Sequence, residues 1–75
     1  MDTLRVMLIV PPDLVREPVI YNVAKRHNLV PNIRKARVTE NAGEATLDLT
    51  GAETDLKQGV EYLTGLGVKV KPLSL

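Results

Sequence analysis

Apolar and polar residues alternate, or run apolar, over four short stretches: Leu4–Val10, Asn32–Thr39, Ala45–Thr50 and Val68–Lys71. Period-two alternation is the signature of a strand with one buried face. Leu4–Val10 ends at Pro11-Pro12, which cannot continue a hydrogen-bonded ladder. Two intervening stretches space their apolar residues by three and four, as a helix does. In the first, Glu17-Pro18 opens a helix with proline at the first helical position, where its missing N–H costs nothing. Its inward stripe is Val19, Ile20, Val23, Ala24 and His27, and Asn28 supplies a left-handed stop. In the second, a helix from about Ala52 carries Leu56, Val60, Leu63 and Leu66 on one face and closes at Gly67. Asn41-Ala42-Gly43-Glu44 has the chemistry of a hairpin turn.

The predicted order is therefore β-α-β-β-α-β. Each strand–helix–strand crossover must return right-handed over the same sheet face. Two such units joined by an antiparallel hairpin give an α+β, ferredoxin-like sandwich. It has four antiparallel strands in spatial order 4-1-3-2, with both helices on one face. Alternation then assigns the faces. Val6, Leu8, Val10, Ala36, Val38, Leu47, Leu49, Val68 and Val70 should look toward the helices. Arg5, Met7 and Ile9 should occupy the open face beside Thr46 and Asp48, with Lys35 and Arg37 along one edge and Lys69 and Lys71 along the other. Met7 and Ile9 are either hydrophobes tolerated on a solvated face or the centre of an association surface. Met7, Ile9 and Arg37 are the candidate interface residues.

Composition narrows the reading. Seventy-five residues, 44% hydrophobic and 25% charged, allow one domain over residues 1–75. There is no Phe or Trp and only two tyrosines, Tyr21 and Tyr62, so the core is built from small aliphatic side chains. So small a core barely offsets chain entropy, which favours a homo-oligomer, a dimer or tetramer. The absence of cysteine removes thiolate nucleophiles, disulfides and sulfur-ligated metals, and a single histidine leaves little else for a metal. A net charge of +1 is too close to neutral for binding by phosphate neutralisation, so no nucleic-acid partner is expected. No apolar run approaches a membrane span, and the chain begins at Met1 without a signal-peptide pattern. A whole, cytoplasmic protein without membrane insertion is the expectation.

No reaction is legible. RNA-recognition modules of this shape stack bases on aromatics of the central strands, but both tyrosines fall in the predicted helices. A phosphate cradle after the first strand calls for glycines, whereas the chain offers Pro11-Pro12-Asp13. His27 reads as a helix-terminal residue suited to the dipole. Asp13, Glu17, Glu40 and Glu44 read as acids capping backbone donors at turns and helix starts. Lys69 and Lys71 read as guards against edge-to-edge pairing. Gly59, costly inside a helix, implies close packing against the first helix or the sheet. Asn32, following Pro31, either turns the chain into its strand by bonding local backbone or presents its amide to a ligand's polar end beside an apolar pocket.

With those residues in place, the chain resembles the NIL domain family. Pro18-Val19-Ile20 opens the first helix, Asn32-Ile33 sits at the family's Asn-Ile-Leu motif, and Leu49-x-Gly51 closes the third strand. Tyr62-Leu63 and Gly67-Val68-Lys69-Val70 complete an ordered set across nearly the whole chain. Family members stand at the C-terminus of the ATPase subunit of methionine-import ABC transporters, where they bind methionine as dimers and resemble ACT domains; others accompany small ferredoxins. The resemblance places a ligand contact at Asn32 with its neighbours Ile33 and Arg34. Two further contacts, methionines in the family, fall near Val38 and Ala45; here neither is Met, and Arg34 replaces the motif's Leu. The implied protein is a non-enzymatic, dimeric regulatory module without a cofactor that senses an amino-acid-like or sulfur-containing metabolite, with Arg34 and Arg37 favouring an anionic one. The alternative is a protein-interaction module that docks a partner of sulfur or iron–sulfur metabolism, or an ABC transporter, through its open face.

Overall fold

The computed structural model describes residues 1–73; the last two positions of the domain expected over 1–75 lie outside them. Strand β1 (Asp2–Val10) leads through a 3-10 turn (Pro12–Leu14) to helix α1 (Val19–Arg26). Strands β2 (Val30–Val38) and β3 (Gly43–Gly51) form a hairpin, followed by helix α2 (Glu53–Leu66) and strand β4 (Lys69–Leu73). The four strands make one antiparallel sheet in the order β2-β3-β1-β4, the predicted 4-1-3-2 order read from the other edge. Strands β2 and β4 both run further than alternation alone indicated, through Pro31 and Pro72. Both prolines are in edge strands, where a missing ladder donor is tolerated.

The register assigns the faces. Val6 lies opposite Leu47, Leu8 opposite Ala45 and Leu4 opposite Leu49. Val6, Leu8, Leu47 and Leu49 are fully buried, packed with Val19 and Val23 of α1, Leu56 and Leu63 of α2, and Val68. Both helices therefore cover one face, as expected. At roughly 25 cal/mol per Å2 of apolar surface, each such Leu or Val contributes about 1.5–3 kcal/mol against chain entropy.

Leu29, in the link from α1 to β2, ties the layers together. One of its methyls lies 2.7 Å from where a Gly59 side chain would begin, and the other 2.6 Å from the same point on Gly51. Gly59 thus allows the close packing that its helical position implied, with Val23 of α1 also at 3.3 Å. It takes a buried slot in α2, whereas Leu66, expected on the inward face, is exposed as the last residue of the helix. Asn28 has φ 55° and Gly67 φ 103°, so both helices stop in left-handed residues as predicted.

The helix starts differ from expectation. Pro18 precedes the helix as its N-cap instead of occupying its first position, and its carbonyl accepts from the Asn22 N–H at 2.9 Å. Among the described residues no acid caps a helix through its side chain, so Asp13, Glu17, Glu40 and Glu44 do not serve as caps. The β2–β3 turn is held instead by Thr39. Its hydroxyl accepts from the backbone N–H of Asn41 and Ala42 and donates to the Ala42 carbonyl, a job a short β-branched hydroxyl does well.

Candidate functional site

Every residue of β2 is exposed, because neither helix reaches over this edge strand. Val30, Ile33 and Val38 are 60%, 53% and 69% exposed, apolar side chains that the fold leaves uncovered. The strand is not regular. Ile33 lies opposite Leu47 and Lys35 opposite Thr46, so Arg34 is an extra residue in a bulge. A bulge of one residue reverses which side chains face which way along the strand. Before it, Pro31 and Ile33 lie on the helix side; after it, so do Ala36 and Val38. Asn32, Arg34, Lys35 and Arg37 all belong to the open face.

On the helix side this leaves an apolar groove of about 290 Å3 between the start of α1 and β2. Val10, Val19, Ile20, Ile33, Val38 and Ala45 line it, and the lining residues with polar side chains are Glu17, Tyr21 and Glu44. The volume is at the small end of ligand sites, suited to something the size of an amino acid. Three of the five residues expected to contact a ligand, Ile33, Val38 and Ala45, thus meet in one groove. The other two, Asn32 and Arg34, lie on the opposite side of the sheet with Arg37. The groove also recruits Val10, Val19 and Ile20, which the sequence assigned only to the core, and Val15. The apolar pair Leu14-Val15, held between Pro12 and Pro18, was the available signal for this wall.

The open face has its own centre. Asp48 is 6% exposed, lies opposite Arg5 on β1 and Asn32 on β2, and accepts hydrogen bonds from two arginines. The Arg5 guanidinium grips it with two donors, Nε to Oδ1 at 2.7 Å and Nη2 to Oδ2 at 3.2 Å. Arg34 Nε adds a third bond to Oδ2 at 2.8 Å, possible only because the bulge turns Arg34 toward this face. Hydrogen bonds from Arg5, then from Arg34, hold the Asp48 carboxyl down to about 2, and the same contact raises the Arg5 guanidinium. A buried acid with three charge-assisted bonds is fully satisfied, so this is a structural clamp across three strands. Arg34 is therefore engaged, while the Asn32 amide makes no side-chain hydrogen bond among the described residues. The local-turn role for Asn32 is not seen; it is the third residue of β2 and pairs with Asp48 of β3.

Met7 and Ile9 lie half-buried on the open face, Met7 between Lys71 and Thr46 in register and Ile9 between Lys69 and Glu44. On the helices, the His27 and Tyr62 rings meet at 5.5 Å and the Arg26 guanidinium lies 5.2 Å from the Tyr62 ring centre, consistent with His27 ending α1. Among the described residues no three His, Asp or Glu gather as a metal site, and no helix is long and apolar enough to cross a membrane.

Comparison with known proteins places this geometry. The family model described as "NIL domain" matches residues 4–72. Among solved structures, the C-terminal domain of an ABC transporter ATP-binding protein from Enterococcus faecalis superposes with a TM-score of 0.81 at 19% identity, covering 95% of this chain and 83% of that one. A de novo designed protein, Foldit4, superposes with a TM-score of 0.58 at 11% identity, covering 97% and 96%. At these identities the likeness is one of fold. Comparison with curated proteins gave no match.

Proposed function

The chain belongs to the NIL domain family, and from that premise we propose that it is a non-enzymatic regulatory module that binds a small amino-acid-like metabolite, methionine-like in its apolar side chain, in the groove between α1 and β2. The observation that carries this reading is the convergence of Ile33, Val38 and Ala45 on that one groove. An aliphatic or thioether side chain suits its lining, which offers apolar contact and little with which to do chemistry. The similar Enterococcus domain belongs to an ABC transporter ATP-binding protein, which supports a role in regulating such a transporter. A cytoplasmic location accompanies that role.

Pairing of two copies is part of the proposal. Strand β2 has neighbours on one side only, so its outward backbone groups are free to take a second copy's edge. The groove runs beside that edge, and a second copy there would close it. A ligand that binds the paired state better shifts the equilibrium toward it by its differential affinity.

Thermal unfolding of the full chain with methionine, homocysteine, cysteine and leucine at millimolar concentration tests the reading. Ligand at a hundred times its dissociation constant stabilises by about 2.7 kcal/mol. For a domain of this size that raises Tm by about 10–20 °C. Ile33→Asn, at an exposed position, is expected to remove the shift while leaving the unliganded Tm nearly unchanged. A flat response to all four amino acids refutes the proposal, and so does a shift that survives Ile33→Asn.

A further inference from the structure

The open face concentrates positive charge that the chain as a whole does not have. Six of the ten cations lie there, Arg5, Arg34, Lys35, Arg37, Lys69 and Lys71, against two of the nine acids, Asp48 and Glu44. That face carries +4 while the whole molecule carries +1, so everything else is net negative. Asp48 is consumed by Arg5 and Arg34. Among the described residues, Lys35, Arg37, Lys69 and Lys71 have no ion-pair partner.

The register arranges these four as a frame. One row across the sheet reads Lys69, Ile9, Glu44, Arg37, and the next reads Lys71, Met7, Thr46, Lys35. With strands about 4.8 Å apart and alternate residues about 7 Å apart, the four cations stand at the corners of a rectangle of roughly 14 by 7 Å. Inside it, Met7 and Ile9, both half-buried, lie on β1, with Thr46 and the exposed Glu44 beside them on β3. An apolar pair within a mostly cationic rim is the anatomy of a protein-docking surface. A second copy meeting this face would bring +4 against +4, which like-charge juxtaposition disfavours. Nucleic acid would gain from the charge but finds no aromatic platform, since both tyrosines lie on the helices.

We propose that the open face docks an acidic partner protein through a segment that sets an aliphatic side chain on Met7 and Ile9 and carboxylates on the flanking cation pairs. The groove is on the other side of the sheet, so this site stands or falls independently of ligand binding there.

The test titrates the full-length chain, isotopically labelled, with a synthetic peptide of alternating Glu and Leu, an all-Glu peptide of equal charge, and single-stranded poly(U), followed by NMR. The Glu/Leu peptide is expected to shift Met7 and Ile9 but not Ile33 or Val38. It should bind about tenfold tighter than the all-Glu peptide and weaken as salt rises. Lys69→Glu with Lys71→Glu, and separately Lys35→Glu with Arg37→Glu, should each lower that affinity about tenfold or more, with folding checked by the unchanged spectrum of the core. Two different edges guard against one variant failing to fold. Shifts confined to the groove, tighter binding of poly(U) than of the peptide, an indifference to both double variants, or no binding at all would each overturn the proposal.

Discussion

Gly59 and Gly65 lie in the same helix, six residues apart, and should respond in opposite senses to the same substitution. In an open helical position alanine is favoured over glycine by about 0.8–1.0 kcal/mol. Gly65 has nothing within 4 Å of where a side chain would begin, so Gly65→Ala is expected to gain about 0.5–1 kcal/mol, somewhat less than the full value because the helix end is near. Gly59 faces a Leu29 methyl at 2.7 Å and Val23 at 3.3 Å. Leu29 has no easy retreat, because its other methyl already fills the space beside Gly51. Inserting a methyl into such a contact costs about 1–3 kcal/mol, which outweighs the helical gain. Gly59→Ala is therefore expected to destabilise, by up to about 2 kcal/mol. At about 4–8 °C per kcal/mol, Gly65→Ala should raise Tm by a few degrees while Gly59→Ala lowers it, a separation that calorimetry resolves. Chemical denaturation of both, with Leu29→Val added to each, completes the measurement. Shortening Leu29 should cost less in the Gly59→Ala background than alone, a coupling that Gly65→Ala must lack. If Gly59→Ala raises Tm as far as Gly65→Ala does, the account of Leu29 as the link between α1, α2 and the sheet is wrong.

Three further outcomes follow from the same contacts. Because Asp48 is held down to about 2, its contribution is complete above the ordinary carboxylate range and is lost as pH falls from about 4 through 2; urea titrations should show wild type losing its advantage over Asp48→Asn across that window, and a constant difference down to pH 2 would contradict the clamp. Gly67, at φ 103°, should resist substitution: Gly67→Ala is expected to cost about 1–2 kcal/mol by denaturation, although nothing crowds the position. If copies pair along β2, the cations Arg34, Lys35 and Arg37 approach their own kind, so raising salt from 0.1 to 1 M, which cuts the screening length from about 10 to about 3 Å, should tighten the dimer seen by sedimentation. A dimer that salt dissociates would point to a different interface.

The fold was legible because its determinants are local and repeated. Alternation marked all four strands, threes and fours marked both helices, and Asn28 and Gly67 marked where the helices end. Right-handed crossovers then left one order for the strands. The open face was legible in its central strand for the same reason: Arg5, Met7 and Ile9 alternate with Val6 and Leu8 across a regular β1, and nothing interrupts the count. What alternation could not supply was coverage. Ala36 and Val38 do lie on the helix side, yet α1 spans only Val19–Arg26 and leaves them bare. The period of a strand says which way a side chain faces, whereas the length and placement of the opposite helix decide whether anything meets it. The groove arises from that difference.

The bulge at Arg34 explains why the candidate site came out divided. Counted back from Lys35 and Arg37 by strict alternation, Ile33 belongs with the cations on the open face and Asn32 and Arg34 with the helices. One inserted residue reverses all three assignments. No local propensity marks it, since Arg34 and Lys35 are equally at ease paired or bulged on an exposed edge; the reason for the bulge is Asp48, fourteen residues away, whose second oxygen takes Arg34 Nε. A buried carboxylate left with one arginine would keep part of its hydrogen-bonding capacity unused, and the bulge supplies the missing donor. The same step puts Ile33 into the groove. The charge requirement of one face thereby sets the apolar lining of the other, which a reading of β2 alone had no means to anticipate.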